Sequence, residues 1–510
     1  MRPSIFIMMI VCLLAGVTAL ANPYVRATES GSVHGRQSKY NTMAFLGIPY
    51  AAPPVGALRW KAPQPAPPWS GTFEAKEFGP ACAQKGNFFS NVPAEQFGEP
   101  IGSEDCLHLN IWRPRHEITQ KRPVVVWIHG GSNFKGTASD PMYDGAYVSA
   151  QSEVVYVSMN YRLGLLGAIS LSALQNEGTD LDRSGNFVTL DLIRALQWIQ
   201  DNIENFGGDK NNVTIMGQSA GCMNVWGLLQ SPMASGLFHK AVCSAGVPNT
   251  YPKAFAQARS HDFVVNLVVQ AGLAKDEDAA KKFLKSKSEK WVHDFLYERP
   301  VEELVMAQDF LIPIQHIVDG LVFPHGMEGL AFGAFNRVPL ILGGTVDEGT
   351  YLAGMPFLRP TDKELWAMIQ NPPPDLQATD IIKTLNLPTY RAYTKIGSFA
   401  ISAMMKGIAW GSKIYENRVY RYAFDWKETP SPWREVFGAV HGMDAMFYLG
   451  NFITDQPNFA HFAWTPENKE SREELRRRMN KYFRGFFWTG DVNADIQDPA
   501  QRWDGDILFK

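Results

Sequence analysis

The chain has 510 residues, 45% of them hydrophobic and 12% aromatic, with a formal net charge of −3. A chain of this length and composition buries a large core, and its near balance of charge implies no broad basic surface for nucleic acid or anionic lipid. Length alone suggests two or three domains. No Ser/Gly/Pro-rich linker, charge block or internal repeat divides the sequence, so residues 22–510 are expected to form one large domain with insertions.

The N-terminus has a basic start at Arg2, an apolar stretch from Ile5 to Leu20, and Ala19-Leu20-Ala21 before Asn22. This is the pattern of a secretory signal peptide cut after Ala21, and it predicts a secreted or periplasmic protein. The stretch is short for a membrane-spanning helix, and no later segment is long and apolar enough, so no stable membrane insertion is expected. Cys12 reads as apolar filler within it. Cys82, Cys106, Cys222 and Cys243 then remain. Export makes disulfides possible. Cys82 and Cys106 bracket a loop rich in Gly, Pro, Asn and Phe, and closing a loop of that size stabilises a fold by about 3 kcal/mol. Cys222 and Cys243 read as small buried hydrophobes in preference to a bridge, and the sequence leaves their pairing open. No Cys-x-x-Cys or His-x-x-x-His spacing supports a metal site, and no cofactor is expected.

Along the chain, Arg122–His129 is a predicted buried strand running into glycines, and Val154–Asn160 is another. Residues 188–204 carry apolar side chains at helical spacing. Val213–Met216 is a further strand and Ala220 opens a helix; Val338–Leu342 is followed by Gly343 and Gly344. This alternation predicts an α/β fold with a mainly parallel sheet, whose ligands gather at the carboxyl ends of the strands. Residues 253–336 and 360–436 are helix-rich, as pocket wall and lid or simply as packing. The stretch Ser471–Phe487 reads as an amphipathic helix docked near the C-terminus.

Residues 217–221 are Gly-Gln-Ser-Ala-Gly, between the Val213 strand and the Ala220 helix. Ser219 therefore sits on a sharp strand-to-helix turn that can expose its Oγ as a nucleophile. A serine needs a base, and the base needs an acceptor on its other nitrogen. His441, after the strand-like Phe-Gly-Ala-Val and before Gly442, is the best placed histidine. Asp347 and Glu348, in Gly-Gly-Thr-Val-Asp-Glu-Gly, both qualify as the acid. The order serine, acid, histidine is that of α/β-hydrolases. His129-Gly130-Gly131-Ser132-Asn133 follows a strand and can offer main-chain N–H groups to an oxyanion. The expected donors are Gly131, Ser132 and Ala220.

Several of these segments together resemble the type B carboxylesterases, a family that includes cholinesterases and para-nitrobenzyl esterases. The resemblance covers most of residues 30–490. Phe45-Leu-Gly-Ile-Pro-Tyr through Arg59-Trp60 is similar to the family's N-terminal signature, and Glu104-Asp-Cys-Leu-His-Leu-Asn110 to its cysteine signature, with His108 where Tyr or Thr is usual. Phe206-Gly-Gly-Asp leading to 217–221 fits the active-serine signature, with Gln218 where Glu is common. The resemblance implies an α/β-hydrolase fold, Glu348 as the acid, a Cys82–Cys106 bridge, an Arg59–Glu104 ion pair and a supporting role for Ser244.

Two departures stand out. Ser132 and Asn133 occupy positions where the family usually has Gly or Ala and then an aromatic. Ser132 would be strained by about 1–2 kcal/mol if that position needs a positive φ. Asn133 and Gln218 are the expected substrate-facing amides, and Asn133 suggests a polar acyl group, unless it bonds a neighbouring loop. No Trp lies between Cys82 and Cys106, where cholinesterases keep the one that faces choline, so choline esters are not expected as substrates. The sequence thus points to a secreted serine hydrolase acting on small-molecule carboxylic esters through an acyl-enzyme. The alternatives are an amidase or carbamate hydrolase using the same residues, or a non-catalytic binding protein. Family members of the last kind usually lack the serine or the histidine, and both are present here. The sequence does not address oligomeric state.

Overall fold

Residues 124–128 read Val-Val-Val-Trp-Ile, and all five side chains are buried. A strand apolar on both faces belongs in the middle of a sheet covered on both sides. The computed structural model, which describes residues 22–116, 119–176, 178–308, 315–383 and 385–510, places it there. The signal-peptide expectation at 1–21 lies outside the described residues.

The main sheet has ten strands: β1 (Arg36–Ser38), β2 (Thr42–Pro49), β3 (His108–Pro114), β4 (Arg122–Ile128), β5 (Val155–Met159), β6 (Gly208–Gln218), β7 (Lys240–Ser244), β8 (Leu340–Gly343), β9 (Val419–Phe424) and β10 (Asp506–Phe509). Their spatial order is β10-β9-β8-β7-β6-β4-β5-β3-β2-β1. From β5 through β4 to β10 every pairing is parallel, whereas β3, β2 and β1 join the β5 edge antiparallel. The mainly parallel sheet expected from the alternating pattern is therefore present, with an antiparallel edge.

Side chains alternate across the pleat. Val125 and Trp127 of β4 face one layer, built from α5 (Met443–Leu449) and α6 (Lys469–Thr489). Val124, Val126 and Ile128 face the other, built from α1 (Phe187–Asn202) and α2 (Ala220–Gln230). The docked helix expected at 471–487 is α6, whose buried side includes Leu475, Met479, Phe483 and Phe487. Two further helices pack on one another, α3 (Glu348–Leu352) and, within the helix-rich stretch 360–436, α4 (Leu387–Ser412).

Cys82 and Cys106 are joined as a disulfide. Cys222 and Cys243 are also joined, which corrects the reading of them as unpaired apolar residues. The physical reason is tertiary. Gly217 of β6 pairs with Cys243 of β7, and the first turn of α2 folds back over that neighbouring strand, bringing the two Cα atoms to 4.7 Å. Among the described residues no helix is long and apolar enough to cross a membrane, and no cluster of three metal-ligating side chains occurs.

Candidate active site

Strand β6 ends at Gln218 and helix α2 begins at Ala220, so the reversal between them is made by Ser219 alone. Its backbone stands at φ 58°, ψ −125°. Such a conformation in a non-glycine residue costs on the order of 1–3 kcal/mol and persists only where the surroundings enforce it. Here the enforcement is visible. A Cβ on Gly217 would lie 2.4 Å from Gly221, and a Cβ on Gly221 would lie 2.0 Å from the Ile128 carbonyl oxygen. The Ser219 N–H also donates to the Ser244 carbonyl at 2.9 Å, tying the turn to the end of β7.

His441 is held from both sides. Its Nδ1 hydrogen-bonds Oε2 of Glu348, a fully buried carboxylate whose Oε1 accepts from the Thr345 N–H at 2.7 Å. With Nδ1 donating to that carboxylate, Nε2 carries the lone pair that a general base requires. The ring of Tyr351 stacks on the imidazole at 5.4 Å and 11°. Asp347, the other candidate acid, turns away: its Oδ2 accepts the Ala439 N–H at 3.0 Å and shapes the loop that carries the histidine. That loop is not the strand expected from Phe-Gly-Ala-Val. Only an isolated bridge links Val440 to Asp347, because Gly438 takes φ 58° and breaks the extended run.

On the opposite side of Ser219, Gly131, Ser132 and Asn133 have φ of 106°, 57° and 56°. Gly131 has no alternative, since a Cβ there would lie 2.1 Å from the Lys135 carbonyl oxygen. Ser132 therefore does occupy the left-handed region that the sequence flagged as a source of strain. Gly131 and Ser132 line the same pocket as Ser219 and His441. The N–H groups of Gly131, Ser132 and Ala220 donate to no backbone acceptor among the described residues.

Asn133 does not line the pocket, which corrects its expected contact with the acyl group. Its side chain is buried, donates to Asn224 and Gln315 (both 3.1 Å), and accepts from Asn224 (2.9 Å) and Tyr161 (3.1 Å). The amide is saturated by neighbours and anchors the loop. Gln218, by contrast, does line the pocket, and its Nε2 lies 3.0 Å from Nε2 of His441.

Sequence reasoning missed Asp444. Its Oδ2 accepts from the Ser244 hydroxyl and the Tyr422 hydroxyl, each at 2.5 Å. Burial pushes this carboxyl up to about 6, against the lowering effect of the two hydroxyls. Ser244 thus joins the Ser219 turn, through its carbonyl, to the helix that follows His441, through its hydroxyl. The signal available was the closeness of Asp444 to His441 in the chain, three residues on, across the left-handed Gly442 that opens α5. The Arg59–Glu104 pair is bidentate, at 2.6 and 2.7 Å.

The pocket over Ser219 has a volume of about 70 Å³. Phe89, Tyr351, Leu352, Met443, Phe459 and Phe462 are among its walls, and among the described residues no Asp, Glu, Lys or Arg is.

The profile of the carboxylesterase family matches residues 22–372. The chain belongs to the carboxylesterase family. It is 30% identical to an acetylcholinesterase of Danio rerio over 543 aligned residues, covering 94% of this chain and 82% of that one. It is 32% identical to the para-nitrobenzyl esterase of Bacillus subtilis (strain 168), covering 83% and 82%. Among solved structures a para-nitrobenzyl esterase superposes with a TM-score of 0.71 at 28% identity, covering 96% of both chains. As a carboxylesterase with an α/β-hydrolase fold, the protein is a carboxylic-ester hydrolase.

Proposed function

We propose that Ser219 attacks the ester carbonyl while Nε2 of His441 takes its proton, with Glu348 holding the imidazole in the Nδ1–H tautomer and stabilising the imidazolium. The N–H groups of Gly131, Ser132 and Ala220 receive the charge on the carbonyl oxygen. His441 then returns its proton to the leaving alcohol, and a water activated by the same nitrogen releases the acid. The observation that carries this reading is the Glu348–His441 hydrogen bond in the pocket that also exposes Ser219.

The substrate is a small ester that is uncharged around the scissile bond and bears a bulky apolar or aromatic group. An apolar pocket gains affinity by burying such surface and gives a charged acyl group no partner. The mature protein spans residues 22–510 as one domain and is exported, with residues 1–21 as its signal. The two disulfides support an oxidising compartment. Glu348→Gln is expected to lower kcat on a para-nitrophenyl ester by about 10³–10⁴-fold, as loss of the orienting carboxylate does in other triads. Asp347→Asn is expected to change it only a few-fold. The reverse pattern would move the acid to Asp347. Matched para-nitrophenyl ester and anilide substrates separate an esterase from an amidase.

A further inference from the structure

Helix α4 rests on the molecule through Tyr390, Thr394, Ser398, Met405 and Ala409. At roughly 100° per residue the opposite side carries Tyr393, Ile396, Phe399, Met404, Trp410 and, just past the helix end, Ile414. These six are between 47% and 76% exposed. Ala392, Ala400, Ala403 and Gly407 fill the same side, and no charged residue interrupts it. Taking side chains of this size at roughly 200 Å² each, the exposed apolar area is on the order of 700 Å². That exceeds the few hundred square ångströms normal for the largest patch on a monomer.

The charges on α4 and at its end are all of one sign. Arg391, Lys395, Lys406 and Lys413 fall along one edge of the apolar side, and residues 387–415 contain no Asp or Glu. At that edge lies a recess of about 220 Å³ where Arg391, Lys395, Lys427 and Arg434 outnumber Asp347 and Glu435. A second copy of the chain docked on this face with the two-fold across the helix would set this cationic row against its own copy. A surface of anionic phosphates complements both the apolar side and its cationic border. The overall charge of −3 conceals this local row.

We propose that the outward side of α4 is a docking surface for an anionic lipid bilayer. Ile396, Phe399 and Trp410 enter the headgroup–acyl boundary, and the row from Arg391 to Lys413 meets the phosphates, as in interfacial amphipathic helices. The placement bears on access to the pocket. A Cβ on Gly349 of α3 would lie 2.0 Å from the Thr394 carbonyl oxygen, so α3 and α4 touch. The same α3 carries Leu352, which is 48% exposed and lines the pocket.

The test is sedimentation of the full chain with vesicles of phosphatidylcholine, with and without phosphatidylglycerol, alongside turnover of a water-soluble para-nitrophenyl ester. Wild type is expected to sediment with the phosphatidylglycerol vesicles and to be released by salt. Phe399→Asp with Trp410→Asp should weaken vesicle binding by about tenfold or more, and Lys406→Glu with Lys413→Glu by several-fold. Both double variants should turn over the soluble ester within about twofold of wild type, because none of the four side chains lines the pocket. The proposal is overturned if wild type ignores phosphatidylglycerol vesicles, or if the variants bind as wild type does. It is also overturned if light scattering shows a dimer that Phe399→Asp with Trp410→Asp dissociates while vesicle binding is absent, which would assign the face to a second copy.

Discussion

The side-chain amide nitrogen of Gln218 lies 3.0 Å from Nε2 of His441, the ring nitrogen that Glu348 leaves untouched. An amide N–H there donates to the lone pair of the neutral imidazole. After proton transfer the carboxamide can turn and present its oxygen instead. Gln218 is thus a neutral partner for both states of the ring. Replacing it by a carboxylate puts a full negative charge at the same distance and favours the charged ring. Gln218→Glu is expected to move the acid limb of the kcat/KM profile to higher pH by about one unit. Gln218→Leu should leave that limb near its wild-type position. A limb that does not move in Gln218→Glu would show that the contact does not act on the imidazole.

Ser132 takes a left-handed backbone at φ 57° and lines the pocket. The proposed oxyanion hole uses only the Ser132 N–H, which makes the side chain dispensable in that reading. Ser132→Gly should keep ester turnover within a few-fold and leave stability unchanged or up to about 1 kcal/mol higher, relief of strain offsetting the entropy of glycine. Ser132→Val, branched at Cβ, should lose both stability and kcat. Thermal unfolding and steady-state kinetics read the two outcomes. Equal behaviour of the two variants would contradict a φ-dependent role.

The Asn133 amide is closed within a buried set formed with Asn224, Gln315 and Tyr161. Asn133→Ala leaves those partners short of hydrogen bonds and should cost about 1–3 kcal/mol of stability. Because the residue positions the loop without touching substrate, kcat should fall by a similar factor for polar and apolar acyl groups. Selective loss of polar acyl substrates would restore the substrate-contact role that the sequence suggested.

Asp140 accepts the Met142 N–H at 2.9 Å at the start of the turn carrying the pocket residues Met142 and Tyr143. Burial lifts its carboxyl from 3.8 to about 7. Between these values the unfolded chain has lost the proton that the folded chain keeps. The stabilisation is therefore complete below about pH 4 and is lost as pH rises through 7. Asp140→Asn retains an acceptor for the N–H and removes the titration. Urea unfolding from pH 5 to 8 should show wild type losing stability relative to the variant, and a constant difference would contradict the shift.

Much of this site can be read from the chain because its constraints are local. The Gly217 and Gly221 positions follow from close approach around one turn, and the order of serine, acid and histidine follows from strand succession. The choice between Asp347 and Glu348 was not local, since adjacent side chains point opposite ways and only the fold decides which reaches His441. Cys222–Cys243 and Ser244–Asp444 depend on how α2 and α5 lie against β7, which no periodicity encodes. Asn133 was misread because a polar residue beside a glycine turn has two directions open to it, and burial chose the one away from substrate. The outward side of α4 carries the ordinary helical period. The period alone does not say which face packs inward.

The central claim is that Ser219 is the nucleophile that carries the acyl group. Its most direct test is intact-mass and peptide-mass measurement after reaction with a slowly released para-nitrophenyl ester or an organophosphonate. One adduct per chain is predicted, on the peptide containing Ser219, with no adduct and a kcat/KM lowered by about 10⁴–10⁶-fold in Ser219→Ala. An adduct on another residue, or undiminished ester turnover by Ser219→Ala, would contradict the account.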